Sequence, residues 1–127
     1  MEREEFENLV VEGVARLPER VRERIKNVAL LVEDEPSAAV RAAEGLGESE
    51  TLLGYYQGVP STLREYAAGP LLPDTITLYQ FPIEDAALDD EMDVRDVIAE
   101  TIWHEFAHHF GMDEDEVRRR EDERNGR

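Results

Sequence analysis

The segment from Val94 to Phe110 places the strongest constraint on the fold of this chain. Val94, Val97, Ile98, Ile102, Trp103, Phe106, Ala107 and Phe110 recur at helical spacing and cover most of a helix's circumference instead of a single stripe. A helix of this kind belongs in a protein interior. Glu100, His104, Glu105, His108 and His109 nevertheless lie among those apolar positions, and ionisable groups are expensive to bury without partners. A bound metal with hydrogen-bonded groups around it resolves the conflict, because it gives the charged and imidazole side chains a common partner inside the fold.

The spacing of these residues specifies the chemistry further. His104 and His108 stand four residues apart, so on a helix they project from one face, and Glu105 sits beside the first of them, within reach of a water on the same ion. The chain has no cysteine, so a metal here must take nitrogen and oxygen ligands, and neutral imidazoles suit zinc. Gly111 can end the helix in a left-handed conformation and turn the chain so that Glu114 approaches the same ion from outside the helix. The expected zinc ligands are thus His104, His108 and Glu114, with a water in the remaining position and Glu105 as the base that takes its proton. Asp113 is the alternative third ligand. Glu100, one turn before His104, either orients that imidazole, competes with Glu114 for the ion, or is an ordinary carboxylate on an exposed strip of the helix. His109 points away from the pair and is expected to pack or hydrogen-bond, and Trp103, Phe106 and Phe110 read as core anchors.

The remainder of the chain supplies a scaffold for this helix. Phe6, Leu9, Val10, Gly13, Val14 and Leu17 form one apolar stripe and predict an N-terminal amphipathic helix, with Pro18 stopping or restarting the chain. Apolar runs at Val28 to Val32, Leu52 to Gln57 and Ile76 to Phe81 are candidate strands. Glu33-Asp34-Glu35-Pro36, Gly58-Val59-Pro60-Ser61 and Pro82 with Asp85 mark their ends. The motif helix should begin among Asp89, Asp90 and Asp93, whose short carboxylates can cap its first amides. The expected architecture is α/β, in the α+β sense: an N-terminal helix, a small mixed sheet, and the buried motif helix on one sheet face.

Size and charge narrow the possible partners. A chain of 127 residues suits one domain, and a formal net charge of −17 would repel a phosphate backbone over most of the surface, so no nucleic-acid partner is expected. Arg118 to Arg120, the densest basic run, are flanked by acids on both sides. No stretch approaches the roughly 20 apolar residues of a membrane span, and the first residues lack the basic start and apolar run of a signal peptide. A cytoplasmic protein without a membrane partner is the expectation.

Taken together, His104, Glu105, His108, Gly111 and Glu114 spell HExxHxxGxxE, which resembles the zincin metallopeptidases and, more closely, the small single-domain bacterial proteins called minimal zincins. The resemblance implies one zincin-like domain over residues 1–127, with 115–127 as a charged C-terminal helix or frayed tail. It also implies a zinc cofactor and hydrolysis of peptide bonds by metal-activated water, with Glu105 as general base. In the related metzincin arrangement the place of Glu114 is taken by a histidine, and the sixteen residues after Gly111 are too few for that group's downstream methionine turn. By the same resemblance an edge strand borders the cleft and pairs with an extended substrate. Either the Leu52 to Gln57 or the Ile76 to Phe81 segment would provide it, and a short or unstructured peptide is the expected substrate. Tyr55, Tyr56 or Tyr79 could support the developing oxyanion if the fold carried a phenol to the far side of the metal. The alternative function is a zinc-stabilised binding or structural protein with a zincin-like fold and little or no turnover.

Overall fold

The computed structural model describes residues 1–58 and 73–109. Phe110, Gly111, Asp113, Glu114 and residues 115–127 lie outside the described residues, as do residues 59–61 of the turn expected after the second strand. Chain order runs through α1 (Arg3–Ala15), α2 (Glu19–Arg24), a 3₁₀ turn (Ile25–Asn27), β1 (Val28–Glu33) and α3 (Ala38–Ala43). It continues with β2 (Gly54–Gln57), β3 (Asp74–Tyr79), α4 (Gln80–Asp89) and α5 (Val94–His109).

The three strands form one mixed sheet in the order β1-β3-β2, with β1 parallel and β2 antiparallel to β3. β3 is paired on both sides, so of the two candidate edge strands only β2 is an edge among the described residues. Strand alternation then sorts the side chains. Leu30 and Val32 lie opposite Ile76 and Leu78, on the face that receives α5, and Ile76 and Leu78 are completely buried there. Leu31 points the other way and is 46% exposed.

α5 sits between this sheet face and α1. The expected stripe of α1 is present: Phe6, Val10 and Gly13 are buried, with Leu9 and Val14 packed against the same core. Gly13 is where the two helices come closest, because a Cβ added there would stand 2.9 Å from Ile98 Cγ2 and 3.0 Å from the Arg95 carbonyl oxygen. Ile98 and Ile102 are fully buried beneath it, each worth about 1.5–3 kcal/mol of apolar transfer. Trp103 and Phe106 are core anchors as expected, with ring centres 6.2 Å apart. Among the described residues the buried Trp103 Nε1–H has no hydrogen-bond partner, and packing holds this indole.

Of the three aspartates expected to start the motif helix, Asp93 does so: its Oδ1 accepts the Arg95 amide at 2.9 Å. The Arg95 guanidinium folds back onto the same carboxylate and, together with Arg16, holds the Asp93 carboxyl well below the usual range. Asp89 and Asp90 instead belong to the end of α4.

Two helices differ from the sequence reading. Pro18 restarts the chain as expected, but the charged stretch behind it forms α2, anchored by the buried Val21. The third strand does not run through Phe81, and Pro82 does not release the chain into a loop. β3 ends at Tyr79, and Pro82 occupies the first turn of α4, where a missing N–H breaks no helical hydrogen bond. Ile83 and Ala87, four residues apart, bury the inner face of α4. Gln80 is 2% exposed and joins the start of α4 to the N-terminus: its Nε2 donates to the Met1 carbonyl at 2.8 Å, and its Oε1 accepts Arg3 Nε at 2.8 Å. Arg3 also bonds the Val32 carbonyl and pairs with Asp34, which accounts for the acidic turn after β1 as an ion-paired strand end.

α3 and α4 both end in Schellman turns. In α3 the left-handed residue is Gly45, with φ of +63°, and the Leu46 amide reaches back to the Arg41 carbonyl. In α4 it is Glu91, with φ of +52°, and the Met92 amide bonds the Ala87 carbonyl. A side chain in that region costs about 1–2 kcal/mol, partly offset in a glycine by the greater entropy of its unfolded chain. Glu91→Gly should therefore stabilise the protein by about 0.5–1 kcal/mol and raise the thermal midpoint by roughly 2–5 °C, read by calorimetry. An unchanged or lower midpoint would refute this account of the turn.

Candidate active site

The conflict between apolar and ionisable positions in α5 is resolved by a single open strip. Val97, Ile98, Ala99, Thr101, Ile102, Trp103, Phe106 and Ala107 are buried. Glu100, His104 and His108, spaced by four, run along one side of the helix, the first two half-buried and the third exposed, and Glu105 lies half-buried beside them. The sequence alone suggested an interior helix, and that holds for most of its circumference.

His104 and His108 have ring centres 6.0 Å apart, tilted by 51°. An imidazole bound through one nitrogen puts its ring centre roughly 3 Å from the ion, so two rings sharing a zinc stand about 5–6 Å apart and need not be parallel. The donor pair fits the metal in chemistry and spacing. Among the described residues no third His, Asp or Glu gathers with a pair of this kind closely enough to hold an ion. Glu100 therefore does not complete a three-ligand set there. Glu114 and Asp113, the other two candidates, lie outside the described residues.

Glu105 is placed by the close approach of β2 to α5. A Cβ added to Gly54 would lie 2.7 Å from Thr101 Cγ2, 3.3 Å from the Thr77 carbonyl oxygen and 3.7 Å from Glu105 Cγ. Thr101 cannot easily turn aside, because its hydroxyl donates to the Val97 carbonyl at 2.7 Å and fixes the rotamer. The strand thus rests on the helix at the turn that carries Glu105. Burial pushes the Glu105 carboxyl above its ordinary pKa, His108 opposes this by stabilising the anion, and Glu44 adds to the rise. A raised carboxyl pKa makes a stronger base.

A cavity of about 270 Å³ opens from this point toward the end of α4. His104 and Glu105 line it together with Leu53, Gly54 and Thr101, and with Asp90 and Met92. Glu100 lines the cavity beside His104.

The three tyrosines considered for oxyanion support separate in space. Tyr56 points to the α5 side, stacked on His109 with ring centres 3.8 Å apart and planes 15° from parallel, and its hydroxyl donates to Asp74 Oδ2 at 2.8 Å. His109 Nε2 lies 3.8 Å from the same carboxylate oxygen. His109 is therefore the packing residue expected, and the cluster ties the last turn of α5 to β2 and to the start of β3. Tyr55 lies opposite Thr77, two residues before Tyr79, so by alternation Tyr55 and Tyr79 share the face turned away from α5. Tyr79 is 1% exposed, and burial, with Glu33 adding to it, pushes its phenol up to about 12, so it stays protonated at neutral pH.

Sequence reasoning passed over Gly54, Thr101 and Asp74. A glycine inside an apolar strand is itself a signal of close backbone approach, and Gly54 carried it. Asp74 carried none, since its partners Tyr56 and His109 are brought to it only by folding.

With this geometry established, comparison with known proteins gives the class. A family model of zincin-like metallopeptidases matches residues 25–124, and the chain belongs to that family. The match spans β1 through the motif helix and includes the position of Glu114. No curated protein matches the chain. Among the described residues no helix is long and apolar enough to cross a membrane.

The contact between β2 and α5 is directly testable. Gly54→Ala should destabilise the protein by about 1–3 kcal/mol, the usual range for an overpacked site. Thr101→Ser, which keeps the hydroxyl and removes Cγ2, should recover much of that loss in the double variant. Additive denaturation midpoints would show that the strand does not rest on Thr101.

Proposed function

We propose that the protein hydrolyses peptide bonds with zinc-activated water, Glu105 acting as general base and His104, His108 and Glu114 as the metal ligands. The observation that carries this reading is the placement of Glu105. It is half-buried, its pKa is raised by burial, it lies next to a paired set of imidazoles, and it stands under a strand whose outer edge is unpaired among the described residues.

Bound zinc would supply Lewis acidity, polarising the scissile carbonyl and lowering the pKa of water. The chain's own residues do the rest. His104 and His108 present their nitrogens from consecutive turns of a helix held rigid by α1 and the sheet. Glu105 takes a proton from the attacking water and returns one to the leaving amine. The outer edge of β2 offers main-chain hydrogen bonds to an extended peptide, which positions a backbone without strong side-chain selection. A short or unstructured peptide suits such an edge, and a cytoplasmic setting is part of the same proposal.

Metal content separates the ligands. The native protein should bind zinc, and Glu114→Ala should lower occupancy or change the coordination seen by X-ray absorption. Full occupancy with unchanged coordination would remove Glu114 from the set and bring Asp113 forward. His104→Ala and His108→Ala should lose the metal more completely, with circular dichroism checking that the fold survives.

Catalysis separates Glu105 from the ligands. Glu105→Gln should keep the fold and most of the zinc while lowering kcat by about 10²- to 10⁴-fold on an unstructured peptide library. Equal zinc-dependent cleavage by both proteins would require another base. Absence of cleavage by the zinc-loaded native protein would favour a zinc-stabilised binding protein instead.

A further inference from the structure

The two imidazoles of the motif are held in different ways. His104 is half-buried and lines the cavity, whereas the His108 side chain is exposed, so its direction is set by the backbone that carries it. Its two neighbours in the chain anchor that backbone. Ala107 is fully buried in the core, and His109 lies flat on Tyr56 with ring centres 3.8 Å apart. Successive helical residues point about 100° apart, so fixing the residues on either side of His108 fixes the direction between them.

The cluster that receives His109 is assembled from separate segments. Tyr56 belongs to β2, opposite Ile76, and donates its hydroxyl to Asp74 Oδ2 at 2.8 Å. Asp74 opens β3, the strand that is paired on both sides, and its carboxylate is only 18% exposed. His109 Nε2 stands 3.8 Å from the same carboxylate oxygen. Gly58, just beyond β2, packs against the group, since a Cβ added there would lie 3.3 Å from His109 Cε1 and 3.7 Å from Asp74 Oδ1. The imidazole of His109 therefore rests on a phenol that is itself tied to the middle strand of the sheet.

We infer that Tyr56 and Asp74 are positioning residues for the zinc site: through His109 they hold the turn of α5 that aims His108 at the ion, and so raise zinc affinity without touching the metal. The inference rests on His104 and His108 being zinc ligands, and it holds whether or not the bound metal turns over a peptide. A side chain reaches about 5–6 Å from a helix axis, so turning this residue by roughly 10° carries the imidazole about 1 Å, several times the ~0.2 Å within which metal–ligand distances are kept. A contact that prevents such a rotation acts on the metal even from the far side of the helix.

Zinc affinity separates this role from a contribution to stability alone. Dissociation constants are measured by competition with a chromophoric chelator, at a temperature where circular dichroism shows the native protein and every variant folded. Tyr56→Phe keeps the stacked ring and loses the donor, and Asp74→Ala loses the acceptor. Each should weaken zinc binding on the order of tenfold, as loss of a group that orients a ligand does. The double variant should lose no more than the larger single loss, because the two residues act through one bond. Ile83→Val is the control, a core truncation on α4, the helix that follows the other end of β3 from Asp74. It should lower the thermal midpoint of the metal-free protein comparably and leave zinc affinity unchanged. Native affinity in Tyr56→Phe and Asp74→Ala, or an equal loss in Ile83→Val, would overturn the positioning role and leave the zinc ligands standing. Failure of the native protein to bind zinc would overturn the ligands and the positioning role together.

Discussion

The structure depends on the contact at which β2 lies across α5 with no side chain between them. Gly54 makes this possible, since any Cβ would collide with a Thr101 methyl that the helix's own hydrogen bond holds in place. Because the strand comes so close, the turn carrying Glu105 is half-covered while the strip through Glu100, His104 and His108 stays open on its flank. A deeper helix would have buried the imidazoles without room for a ligand. A shallower one would have left Glu105 in water with an ordinary carboxyl pKa.

The rest of the fold holds α5 at that depth. On the opposite side, Gly13 lets α1 approach Ile98 within van der Waals contact, so the helix is gripped between two glycine-mediated contacts. At its start, Asp93 caps the first turn and gathers Arg95 and Arg16. At its last described turn, His109 stacks on Tyr56 while Asp74 accepts the phenol, which ties that turn to β2 and to the start of β3. His108 is the residue before this clamp. The helix that carries both imidazoles is thus held at its start and again beside His108.

The sequence by itself determined the elements whose signal is local. HExxH spacing put two imidazoles on one helical face, and the apolar periods marked α1, β1 and α5. Asp93 also stood where a cap was needed. Short elements were less legible: α2 carries Val21 as its single apolar position, and Pro82 in α4 reads as a breaker until its place in a first turn is known. Only the tertiary structure decided which strand is the edge, because that follows from β3 pairing on both sides and not from the composition of either strand. It alone brought Asp74 to Tyr56 and His109, since residues on separate elements have no spacing rule to connect them. The open strip on α5 was decided there too. Periodicity reports which residues prefer burial, whereas how far a neighbouring strand covers them depends on the atoms at the crossing.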